Sequence, residues 1–126
     1  MPCDFELDLE HRLVRVRASG VFTHAEAMAT RQQFTADPAF SSDISLIYDL
    51  GAVTRIDMTS DQIRGLARFS PLDQKVRRAI VANEPGVYGA MRMLALDYAA
   101  NGGLNEIGVF KRIEDAEKWL GLRNSR

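Results

Sequence analysis

The chain holds a single cysteine, Cys3, among its 126 residues. That excludes an internal disulfide framework and any thiolate metal cluster built within one chain. Histidine is scarce too. His11 falls in an expected turn and His24 at an expected helix start, with no second ligand at the four-residue spacing of a helical metal site. Both read as surface histidines, and no metal or cofactor is expected. No apolar run exceeds four residues, against the roughly 20 that a membrane-spanning helix needs, so no membrane insertion is expected. The opening Met1-Pro2-Cys3-Asp4-Phe5-Glu6 lacks the basic cap and apolar stretch of a secretory signal, and the expectation is a reducing, cytoplasmic setting. Neither sign of charge dominates: 16 Lys and Arg meet 17 Asp and Glu, which leaves no global footprint for nucleic acid. There is no Gly-x-Ser-x-Gly elbow, and Gly102-Gly103 closes a helix instead of opening one around a phosphate. No nucleophile–base pair can be named, so the chain reads as non-catalytic.

What is present is the balance of an ordinary globular domain, 46% apolar and 26% charged, at a length suited to one core over residues 1–126. Asp4, Glu6, Asp8 and Glu10 alternate with Phe5, Leu7 and Leu9, and Val14, Val16 and Ala18 alternate with Leu13, Arg15 and Arg17. Such period-two patterns mark strands with one buried face. Folded about His11-Arg12, the two strands set Leu9 against Val14, Leu7 against Val16, Asp8 against Arg15 and Glu6 against Arg17. Gly20 is expected to end the second strand. Thr23-His24-Ala25-Glu26 is a capping box for a lightly packed helix reaching about Ala36, where Asp37-Pro38 stops it.

The rest alternates strand and helix. Ile44 to Leu50 reads as a strand running into a loop at Gly51. Thr59-Ser60-Asp61-Gln62 opens a short helix burying Ile63, Leu66 and Ala67. Ala79–Ala82 reads as a strand covered on both faces. A helix follows from Pro85-Gly86 to about Ala100, then a strand at Ile107–Phe110 and a helix from Ile113 to Leu120. The order ββαβαβαβα predicts a single α/β domain: a mixed sheet, antiparallel at its N-terminal hairpin and parallel thereafter, with about four helices. Arg64, Arg68, Lys75, Arg77, Arg78 and Arg92 crowd one stretch against only Asp73 and Glu84. They read as a solvated face or, alternatively, as a surface for an anionic ligand or acidic partner.

The segment from Tyr48 to Ser60 is the most informative. An acidic strand end is followed by Asp57 and then by Thr59 and Ser60 opening a helix. This resembles the STAS-like proteins, and most nearly the SpoIIAA-like, anti-sigma-factor-antagonist-like small bacterial family. There Asp-Ser-Ser-Gly opens a helix and one hydroxyl is phosphorylated by a partner kinase. On that pattern Asp57 matches the acid and Thr59 the phosphoacceptor, while Met58 replaces the first serine and Ser60 the glycine. Thr59-x-x-Gln62 is equally a capping box, which contributes about 1 kcal/mol without any regulation. Tyr88-Gly89-Ala90-Met91-Arg92-Met93 and Val109-Phe110 followed by Asp115-Ala116-x-x-Trp119-Leu120 also resemble that family's motifs, so the likeness spans Phe5 to Leu120. It implies a STAS-like fold and a non-catalytic role as a regulatory or protein-interaction module.

On the helix around Met93, the residues Val87, Met91, Leu94 and Tyr98 form a core stripe. Gly89, Met93, Leu96 and Ala100 form a second, with Arg92 at its edge. A neighbouring helix covers that second stripe, or it is the face for a homodimer or a regulatory protein. Another reading is a carrier of a small apolar, lipid-like ligand, with Tyr48, Met58, Phe69, Met91 and Met93 lining a cavity. A third is an enzyme whose polar groups would be Asp49, Arg55 and Asp57, gathered beyond the strand ends.

Overall fold

A computed structural model describes residues 3–68, 76–103 and 106–122. Five strands form one sheet in sequential order. They are β1 (Cys3–Asp8), β2 (Leu13–Thr23), β3 (Ser45–Asp57), β4 (Arg77–Ala82) and β5 (Glu106–Phe110). The helices are α1 (His24–Ala36), α2 (Ser60–Arg68), α3 (Pro85–Ala100) and α4 (Ile113–Trp119). β1 runs antiparallel to β2, and every later pair is parallel. The mixed sheet, the four helices and the order ββαβαβαβα are those read from the sequence. Stepping in one direction across the sheet through right-handed crossovers sets the connecting helices on one face. Accordingly α1, α2 and α3 pack over Val14, Val16, Leu46, Leu50 and Ile80. The opposite face, Leu13, Ile47, Ala79 and Val81, is covered by α4 through Ala116.

Three details depart from the sequence reading. The hairpin turn takes four residues, not two: the Arg12 amide donates to the Leu9 carbonyl at 3.3 Å, with Arg12 at φ 51°. Each pairing therefore moves by two. Leu7 opposes Val14, Phe5 opposes Val16, Glu6 opposes Arg15 and Asp4 opposes Arg17. A shift of two preserves which face each residue occupies, so the buried set stays as expected while Leu9 moves into the turn at 58% exposure. Asp8 closes this turn by accepting from the His11 amide at 3.2 Å and facing the His11 ring at 2.8 Å.

Gly20 does not end β2. It adopts φ 66°, where a Cβ would be strained, and lets the strand bend through two register shifts. The chain then continues as Val21-Phe22-Thr23 paired with Arg55-Ile56-Asp57. For the same reason the expected loop after Leu50 is strand, and β3 extends to Asp57. Cys3 opens β1 within the core, where Thr30 donates to its sulfur at 3.1 Å. Burial pushes its thiol pKa up, which suppresses the reactive thiolate.

Candidate functional site

The strand alternation decides what faces the three-helix layer. On β3 it is Leu46, Tyr48 and Leu50, and on β4 Arg78, Ile80 and Ala82. Arg78 is thereby turned inward, only 5% exposed. Above these strands lies α2, a nine-residue helix with one buried residue, Ala67. A helix so lightly embedded does not fill the space between α1 and α3. A cavity of about 60 Å³ remains beneath it, walled mainly by Phe22, Leu50, Ile56, Met58, Ile80 and Met91.

Three polar side chains reach this cavity: Arg31, Tyr48 and Arg78. Arg31 projects from α1 and donates to the Leu66 carbonyl on α2 at 2.6 Å. Tyr48 is hydrogen-bonded to Arg31, yet burial outweighs that cation and raises the phenol's pKa, so the hydroxyl remains protonated. Arg78 donates to the Ala67 carbonyl at 3.2 Å and lies over the Tyr98 ring at 5.1 Å. Its Nε is buried with no hydrogen-bond partner. Burial lowers its pKa from the ordinary arginine range, although a guanidinium stays charged through any such shift. Among the described residues no carboxylate forms an ion pair with Arg78. Arg31 and Leu66 also border an outer cleft of about 450 Å³ between α1 and α2, beside His24, Met28 and Gln62. The inner cavity thus adjoins open surface along one edge of α2.

Of the residues expected to line an apolar cavity, Tyr48, Met58 and Met91 do so. Met93 does not, because it sits on the far side of α3, and Phe69 lies outside the described residues. The basic stretch is not one surface. Arg77 pairs with Glu106 at 2.9 Å, Arg64 with Asp61 at 3.0 Å, and Arg92 lies over Tyr88 at 5.9 Å, whereas Arg78 is interior. The one sequence signal for an inward Arg78 was its period-two spacing from Ile80 and Ala82. Its proximity in sequence to exposed arginines masked that signal.

Asp57 ends β3, and Thr59 caps α2. The Thr59 hydroxyl accepts from the Gln62 amide at 3.1 Å, and the Gln62 side chain accepts from the Thr59 amide at 2.9 Å. Asp57, Thr59 and Ser60 are all exposed. On α3, Val87 and Met91 are buried, while Gly89, Arg92, Met93, Leu96 and Ala100 are exposed, so no described helix covers that stripe. Asp49, Arg55 and Asp57 do not converge. All three lie along β3, and eight residues of strand separate the two acids by up to about 26 Å. Asp49 turns to its own strand, accepting from the Gly51 amide at 3.0 Å.

No family model matches the chain, and no curated protein matches it significantly. A solved structure does resemble it: an uncharacterised protein of the DUF3478 family from Shewanella loihica PV-4, described as having a SpoIIAA-like fold. The two are 19% identical with a TM-score of 0.58, over 94% of this chain and 91% of the other. At that identity the likeness concerns architecture alone, and the architecture, a hairpin-led parallel sheet with three helices on one face and one on the other, is SpoIIAA-like.

Proposed function

We propose that this chain is a non-catalytic binding module and that its cavity takes a small apolar, lipid-like ligand. The single observation in support is the space beneath α2, walled by apolar side chains, bordered by a wider cleft and roofed by a barely embedded helix. Ligand sites are concave and mostly apolar, with a few polar groups to fix orientation; the inner space of about 60 Å³ takes one end of such a ligand and the adjoining cleft of about 450 Å³ the remainder. The scatter of Asp49, Arg55 and Asp57 along one strand favours binding over catalysis. Freshly purified protein, examined by native mass spectrometry, is expected to carry a bound acyl or isoprenoid mass. A clean ligand-free mass, with no thermal shift across a lipid panel, would contradict the reading.

A specific observation also favours a second reading, docking to another protein through the outer face of α3. Met93 is 69% exposed and Leu96 60%, and the exposed Gly89 and Ala100 let a partner backbone come close. Methionine adapts to varied surfaces. A second copy of the chain or a regulatory protein is the occupant in this reading. Association on a sizing column should weaken in a Met93→Glu, Leu96→Glu double variant, and an unchanged elution volume counts against it.

A further inference from the structure

We infer that Arg78 receives the anionic head of the cavity's ligand, so that the ligand is an amphiphile with a carboxylate at one end and an alkyl chain at the other. This rests on the reading of the cavity as a ligand site and adds to it the chemistry of the head group. The supporting observations are independent of the cavity's shape. Arg78 is 5% exposed, its Nε has no hydrogen-bond partner, and no carboxylate among the described residues pairs with it. A guanidinium buried without a counter-charge is strongly unfavourable unless a partner arrives. The strand register leaves it no route out: Arg78 shares a face with Ile80 and Ala82, beneath α2, and its hydrogen bonds go to the backbone carbonyl of Ala67 and to the Tyr98 side chain. Its neighbours suit a carboxylate. Tyr48, kept protonated by burial, offers a hydroxyl donor, and Arg31 supplies a second cation at the edge shared with the outer cleft. The planar guanidinium fork matches two carboxylate oxygens. From that head, the Ile56, Met58 and Met91 side chains receive the first carbons of the chain, and the rest of it lies past Arg31 and Leu66 in the outer cleft of about 450 Å³.

The test measures binding of octanoate, 1-octanol and acetate to the full chain by calorimetry, for wild type, Arg78→Met and Arg78→Lys, with the melting temperature of each protein recorded ligand-free. Octanoate should bind wild type at least tenfold more tightly than octanol, and acetate should show no binding in the same range. Arg78→Met should erase the preference, weakening octanoate binding at least tenfold more than octanol binding. Its ligand-free melting temperature should equal or exceed that of wild type, because a buried charge that no described carboxylate balances has been removed. Arg78→Lys, which keeps charge but loses the fork, should retain a reduced preference. Equal binding of octanoate and octanol to wild type would overturn the head-group assignment and leave the apolar cavity standing. Acetate binding as tightly as octanoate would overturn it in favour of a simple ion site. An octanoate preference that survives in Arg78→Met, or an Arg78→Met protein that melts well below wild type, would assign the guanidinium to structure and overturn it too. Binding of neither eight-carbon ligand would remove the cavity reading itself.

Discussion

Asp8 shows how one side chain sets a turn. Burial alone would raise its pKa, but hydrogen bonds from the His11 ring and backbone, with the charges of His11 and Arg15, outweigh that and hold it below the ordinary value of 3.8. The Arg15 Nε lies 3.7 Å away, and Arg15 also reaches Glu117 at 2.8 Å. A carboxyl whose folded pKa is depressed contributes stability that is complete above its unfolded value and disappears as pH falls through the folded one. Asp8→Asn should therefore cost about 1–2 kcal/mol in urea unfolding at pH 7. The difference from wild type should shrink steadily once the pH drops below 3.8. A gap that stays constant down to the acid transition would show that charge plays no part. The sequence placed Asp8 opposite Arg15 in a ladder. The residues do meet, but diagonally, because a turn that hydrogen-bonds its own Asp8 displaces the register.

Among the elements, those with a strong local signal were legible and those defined by their neighbours were not. The capping box at Thr23 and Glu26 is formed as read, with the Glu26 amide donating to the Thr23 hydroxyl at 3.2 Å and the Glu26 side chain accepting from the Thr23 amide. The continuous apolar run of β4 is buried on both faces, as read. The outer halves of β2 and β3 were not legible. Gly20 and Gly51 resemble breaks in a single chain, and only the pairing of Phe22 with Ile56 makes strands of them. The α2 cap is a local feature and should be worth about 1 kcal/mol, so Thr59→Ala should lower stability by that amount while Thr59→Ser keeps it. Equal stability of all three proteins would separate the hydroxyl from helix formation. At the other end of the sheet, Gly108 is held by close approach: a Cβ there would lie 2.8 Å from the Phe110 ring and 3.2 Å from Trp119. Gly108→Ala should cost about 1–3 kcal/mol and shift the fluorescence of Trp119, the chain's single tryptophan. An unaltered emission maximum would mean that β5 and α4 do not pack as described.

At the scale of the whole molecule, sequential strand order loads three helices onto one face, and the shortest of them roofs the cavity. No described helix is long and apolar enough to cross a membrane. The sequence disclosed the fold class because period and punctuation are local, and it disclosed Tyr48, Met58 and Met91 as candidate lining residues. It did not disclose Arg78, whose inward direction depends on pairing with β3 and on a helix arriving above it. Met93 and Met91 lie two residues apart yet face opposite ways on α3, one 69% exposed and the other buried. That contrast supplies the most direct test. Methyl-labelled methionine NMR during an octanoate titration reports the cavity and the outer face in one spectrum. Saturable shifts of the Met58 and Met91 methyls, with Met93 unmoved, are the expected result. Movement of Met93 alone, or no change at Met58 and Met91 at saturating ligand, would contradict a ligand site beneath α2.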